Sequence, residues 1–117
     1  MFDGIEAEFA AAARTPKGQR ALRGIFRAMR ATVSRHGVDA ASLDAIAEGA
    51  GLTQPALRHY FPTRDELVSA FFRSGAEWYR RRLEDLLHES GRSPREQLAE
   101  CISWHLEFME DVDAILW

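Results

Sequence analysis

Apolar residues in this chain recur at intervals of three and four, and apolar–polar alternation never persists long enough for a strand, so the expected fold is entirely helical. Helix starts and stops punctuate the pattern. Leu22, Ile25, Phe26, Met29 and Val33 form one stripe that opens at Thr15-Pro16, an N-cap with proline at the first helical position, and closes at Gly37. Ser42 caps a short helix through Leu43, Ile46 and Ala47 to Ala50, where Gly51 permits a tight turn. Thr53 caps a helix of about two turns that ends before Pro62. Thr63 with Glu66 is a capping-box pattern opening a long helix to about His88, with Leu67, Val68, Phe71, Phe72, Tyr79, Leu83, Leu86 and Leu87 in register. Ser93-Pro94 with Glu96 starts the last helix, carrying Leu98, Cys101, Ile102, Phe108, Met109, Val112 and Leu116. Ahead of these five, Asp3 with Glu6 suggests a further short helix with Ile5, Phe9 and Ala12 on one face. The last pattern is still running at Trp117, so the intact protein is expected to be longer or to cover that face with another subunit.

A chain of 117 residues, 46% of them hydrophobic, has material for one core. Its single cysteine, Cys101, excludes an internal disulfide and a cysteine-based zinc site, and it suits a reducing cytoplasm. No stretch approaches the roughly 18 unbroken apolar residues of a membrane span, and the opening MFDGIEAEF is acidic where a secretory signal is basic; a cytoplasmic protein without membrane contact is expected. The net charge of -3 argues against a nucleic-acid partner until the halves are taken apart. Residues 1–64 hold nine Lys/Arg against six Asp/Glu, whereas residues 65–117 hold six against twelve. Arg14, Lys17, Arg20, Arg23, Arg27, Arg30 and Arg35 lie in a stretch without an acid, a local positive field in which the Arg20, Arg23, Arg27, Arg30 row is expected to face solvent.

Two short helices joined by a glycine turn have the dimensions of a module that places its second helix in the DNA major groove. A groove about 12 Å wide admits a helix, and the side chains at its N-terminal end meet base edges first. Here those are Thr53, Gln54, Pro55 and Ala56. Glutamine pairs bidentately with adenine, and proline and alanine touch a thymine methyl. Arg58, His59, Tyr60 and Arg64 add donors suited to phosphates.

The run Gly37 to Val68, with Ser42-Leu43, Ile46-Ala47, Ala50-Gly51-Leu52-Thr53, Leu57, His59-Tyr60-Phe61 and Arg64-Asp65-Glu66-Leu67, resembles the DNA-binding head of the TetR/AcrR family of regulators. The resemblance extends over about residues 17 to 77. It implies an all-α fold: a three-helix helix-turn-helix head at 17–77, preceded by an extension at 1–16 and followed by two longer helices, 78–117, of an incomplete C-terminal effector and dimerisation domain. It implies a homodimer on a palindromic operator in double-stranded DNA, repression, and relief by a small hydrophobic effector, with no cofactor. Ser42, Thr53, Gln54, Pro55 and Ala56 fall where such proteins meet bases and nearby phosphates, and His59, Tyr60 and Arg64 at phosphate positions. Two positions depart from the family: Arg58 stands where tyrosine is usual, and Asp44 where a basic residue commonly meets the DNA backbone.

Trp78, Tyr79, Cys101, Trp104, His105 and Phe108 are candidates for an effector pocket, although aromatics at helical spacing are core by default. Cys101 and His105, one turn apart, are too few for zinc, so no metal site is expected. No phosphate-cradling glycine loop and no nucleophile–base pair in a recognisable context suggests an enzyme. The competing reading is a protein-interaction module that assembles through the two long helices without touching DNA, favoured by Asp44 and the acidic second half.

Overall fold

The structure is a computed structural model and describes residues 2–89 and 91–116; Trp117, where the apolar pattern is still running, lies outside it, as do the side chains of Val112 and Leu116. Every regular element among the described residues is helical: α1 (Phe2–Ala10), α2 (Pro16–His36), a single 3-10 turn (Val38–Ala40), α3 (Leu43–Ala50), α4 (Gln54–Tyr60), α5 (Arg64–His88) and α6 (Pro94–Leu116). The boundaries follow the expected caps. Thr15 Oγ1 accepts from the Gly18 N–H at 3.0 Å, and Thr63 and Glu66 close a reciprocal box, each side chain accepting the other's backbone N–H. Ser93 and Glu96 do the same at the start of α6.

The core lies where α1, α2, α3, α4 and the first half of α5 meet. Ile25, Met29, Ile46, Leu57 and Leu67 are wholly removed from solvent, and the ring contacts Phe61–Phe9, Phe9–Phe26 and Phe26–Phe71, at centroid separations of 5.5, 5.6 and 5.3 Å, thread through it. Gly49 of α3 crosses Ala28 of α2 so closely that a Cβ on it would lie 3.2 Å from the alanine methyl, which holds the two helices together by backbone proximity.

The first helix forms, but its face differs from the expected one. Asp3 sits inside the first turn instead of capping it, and Ala12 lies beyond the end of α1, exposed. The inward face is Ile5, Glu6, Phe9 and Ala10. Glu6, 7% exposed, is gripped by two arginines of α2: Arg27 donates to both carboxylate oxygens at 3.1 and 2.9 Å, and Arg23 donates at 3.3 Å. Arg30 lays its guanidinium over the Phe2 ring, 3.7 Å from the centroid. The arginine row is therefore partly engaged by α1, with one carboxylate offsetting one of its charges, while Arg20, Arg27 and Arg30 remain exposed to solvent as expected.

Burial by itself raises the Glu6 carboxyl pKa, yet hydrogen bonds and charge from Arg27 and Arg23 outweigh it and hold the group below its ordinary 4.5. A carboxyl depressed on folding contributes stability above its unfolded pKa and loses that contribution as pH falls through the folded value. The difference in urea midpoint between the parent and Glu6→Gln should be widest at neutral pH and close as pH drops from about 4.5 toward 3. An equal difference at pH 7 and pH 3 would refute the ion pair's role.

The second half is a helix pair. α6 runs back along α5, and its apolar residues divide between two sides. Cys101 is buried and Trp104 and Phe108 are half-buried toward α5, whereas Leu98, Ile102, Leu106 and Met109 are 41 to 60% exposed. On α5, Phe72 and Leu87, expected in the packed stripe, are also exposed.

Candidate DNA-binding surface

Local chemistry builds the two-helix unit from both ends. Ser42 Oγ accepts from the Ala45 N–H at 3.1 Å and starts α3. At the other end Gly51 adopts a left-handed conformation (φ +69°), which lets the Leu52 N–H reach Ala47 O at 2.9 Å and the Gly51 N–H reach Glu48 O at 3.1 Å. These crossed bonds stop the helix and turn the chain, a geometry glycine adopts without a Cβ penalty. Thr53 Oγ1 then accepts from the Ala56 N–H at 3.2 Å, and Pro55 fills a first-turn position where a missing N–H costs nothing.

One wholly buried residue is the main anchor of α4. Leu57 is its only buried side chain, with no solvent exposure at all. With Leu57 turned inward, Thr53, Pro55, Arg58 and His59 stand exposed, and Gln54, Ala56 and Tyr60 are partly covered at the edges. The leading edge of α4 thus faces solvent.

Each remaining candidate has a definite setting. Gln54 Nε2 donates to Asp44 Oδ1 at 2.5 Å, joining the first residue of α4 to the first turn of α3. Tyr60 packs its ring against the core and brings its hydroxyl near Gly18, while His59 meets the Tyr60 ring edge-on at a centroid distance of 5.2 Å. Arg14 and Thr15 share a shallow cleft of about 330 Å³ with His59 and Tyr60. Sequence places Arg14 only in the general charge of its stretch; the Thr15-Pro16 helix start is legible, but its position beside the end of α4 comes from tertiary packing. Arg64 is half-buried and donates through Nε to Ala41 O at 3.0 Å and through Nη2 to Val38 O at 2.7 Å. That backbone role was not legible from its neighbours in sequence.

The effector-pocket candidates also come together, between α5 and α6. Trp104 stands 5.7 Å from Trp78, 4.9 Å from Tyr79 and 5.7 Å from Phe108, and Tyr79 lies 4.7 Å from Phe108, all between ring centroids. The Tyr79 hydroxyl and His105 Nδ1 share a hydrogen bond at 2.5 Å, and Cys101 is buried on the same helix. Among the described residues no group of three or more His, Cys, Asp or Glu is arranged to hold a metal ion, and no helix is long and apolar enough to cross a membrane.

No curated protein matches this chain. Residues 25–71 do match a family model, described as bacterial regulatory proteins, tetR family. That stretch runs from the buried Ile25 of α2 through α3, the glycine turn and α4 to Phe71 of α5, and so takes in the whole two-helix unit and its supports. By this match, and by a helical unit whose second short helix presents its leading edge outward, residues 25–71 carry the DNA-binding head of the tetR family of bacterial regulatory proteins, that of a DNA-binding transcriptional regulator.

Proposed function

We propose that the chain is a repressor that binds a palindromic operator as a homodimer, reading base edges with Thr53, Gln54, Pro55, Ala56 and Arg58 of α4 and holding phosphates with Ser42, His59, Tyr60 and Arg14. The observation that carries this reading is the anchoring of a seven-residue helix through the buried Leu57, with the Tyr60 ring at its edge, which leaves Pro55 and Arg58 exposed. Arg64 belongs to the same surface, with two of its donors committed to Val38 and Ala41 and the others available to a phosphate. The head is assigned to residues 17–77, with 1–16 as an extension packed on it and 78–117 opening the effector and dimerisation domain. Support for a dimer comes from Leu98, Ile102, Leu106 and Met109, exposed at helical spacing on α6. Support for a small hydrophobic effector comes from the aromatic cluster of Trp78, Tyr79, Trp104 and Phe108, with Cys101 and His105 beside it. Effector binding there would release DNA through a coupling of about 1 to 3 kcal/mol between the two sites.

The test is a gel-shift titration against the palindrome upstream of the neighbouring gene. Affinity should fall steeply with salt, because each phosphate contact releases counterions. Arg58→Ala should weaken operator binding about ten-fold, the lower end of what one direct base contact contributes. Full affinity retained by a Gln54→Ala, Arg58→Ala double variant would overturn the assignment of α4 as the reading helix. The exposed α6 face equally suits a protein-interaction module that has no use for DNA; failure of the purified chain to bind random duplex or heparin at low salt would favour that reading.

A further inference from the structure

Asp44 is where this chain departs most from a surface built to hold phosphates: a carboxylate at the opening of α3, exposed, beside a helix taken to enter a polyanion. Among the described residues the only hydrogen-bond partner of its side chain is the Gln54 amide. A carboxylate can only accept, so Nε2 of Gln54, not Oε1, must face it; the reversed amide would set oxygen against oxygen. One amide N–H is thereby taken, and Gln54 is left with Oε1 as an acceptor and a single free N–H.

From this we infer that Asp44 is a positioning residue that sets the base preference of Gln54, favouring adenine and disfavouring guanine. The inference rests on the reading of α4 as the base-contacting helix. Adenine presents the N7 acceptor beside the N6 amino donor, which the remaining N–H and Oε1 match as a pair. Guanine presents two acceptors, N7 and O6, and would need both amide N–H groups. With one of them held by Asp44, Oε1 opposes O6, and the exposed carboxylate behind it adds repulsion toward an acceptor edge. An unrestrained glutamine can instead aim both N–H groups of its amide at the two acceptors of guanine; this one has a single N–H to offer. The acid thus trades phosphate attraction for discrimination at one base pair.

The experiment is selection by the full chain from a randomised duplex pool, with sequencing of bound DNA, for the parent, Asp44→Asn and Gln54→Ala. Asparagine keeps the size and helix-start chemistry of aspartate but both donates and accepts, so it tolerates either sense of the Gln54 amide. The parent should prefer adenine over guanine about ten-fold at one position of the half-site, and Gln54→Ala should abolish that preference. Asp44→Asn should reduce it to about two-fold at that position alone, leaving preferences elsewhere intact, which a general loss of structure would not do. Asp44→Asn with the adenine preference unchanged, while Gln54→Ala removes it, overturns the inference and leaves the reading of α4 standing. A change under Asp44→Asn at a position that Gln54→Ala does not affect also overturns it, by making Asp44 a base contact in its own right. If Gln54→Ala alters no position, the reading of α4 itself falls and this inference with it.

Discussion

Leu57→Ala is expected to destabilise the protein by about 3 kcal/mol, within the range for truncating a wholly buried leucine, and to lower the melting temperature by about 10 °C. The expectation follows from how little else secures α4. Seven residues make a helix too short to persist alone in water, so its order must come from packing. Leu57 supplies most of that burial, at zero exposure in the cluster with Ile25, Met29, Ile46 and Leu67, with the half-buried Tyr60 ring packed against the core beside it. Its backbone also carries both ends of the helix, donating to Thr53 O at 3.0 Å and accepting from the Phe61 N–H at 2.9 Å. Truncation therefore removes transfer energy, opens a cavity and loosens the helix that presents Pro55 and Arg58. Leu57→Met, nearly conserving volume, should cost under about 1.5 kcal/mol and keep the operator shift. Urea denaturation followed by circular dichroism measures both; Leu57→Ala within about 1 kcal/mol of the parent would mean that α4 is held by contacts other than this one.

How far the sequence reveals this molecule depends on how far apart interacting residues lie along it. Helix starts at Thr15, Ser42, Thr53, Thr63 and Ser93 are legible because an N-cap bond closes within three residues, and their hydroxyls accept where the spacing predicts. The glycine turn at Gly51 is equally local. Glu6 shows the opposite case. Three residues after Asp3 it matches a capping box, yet its partners are Arg23 and Arg27, 17 and 21 residues away, brought to it only by the packing of α1 on α2. Buried among apolar neighbours, its charge is satisfied there more completely than at a helix end, and the tertiary contact overrides the local one. Gln54 lies ten residues from Asp44, and Arg64 lies 23 and 26 from its carbonyl acceptors. The candidate surface is thus readable as a set of side chains, but not the bonds that orient two of its members, Gln54 and Arg64. Helical period likewise predicts that α6 has an apolar stripe, but not that Leu98, Ile102 and Met109 lie on the side away from α5.

Arg64 carries the second large expectation, because its two roles separate experimentally. Arg64→Ala should cost about 2 to 3 kcal/mol in folding stability before any DNA is added, since hydrogen bonds from charged donors contribute about 1.5 to 3 kcal/mol and a buried acceptor left alone costs about as much. The two carbonyls are not equivalent. Val38 O also accepts from the Ala41 N–H at 3.1 Å, so it keeps one bond when the guanidinium leaves. Ala41 is fully buried, and among the described residues Arg64 Nε is the only hydrogen-bond donor to its carbonyl. Loss of that donor strains the segment immediately before Ser42, the residue that starts α3, so the damage reaches the two-helix unit through its first cap. Arg64→Lys should recover only part of the stability, because one ammonium on a flexible stem cannot reproduce two N–H groups set in a planar fork. Arg58→Ala, by contrast, should leave the urea midpoint unchanged and weaken DNA binding alone, since Arg58 is exposed and fastens nothing. Should Arg64→Ala unfold with the parent's midpoint and lose only operator affinity, its guanidinium would be a phosphate clamp after all, and the carbonyls of Val38 and Ala41 would be satisfied without it.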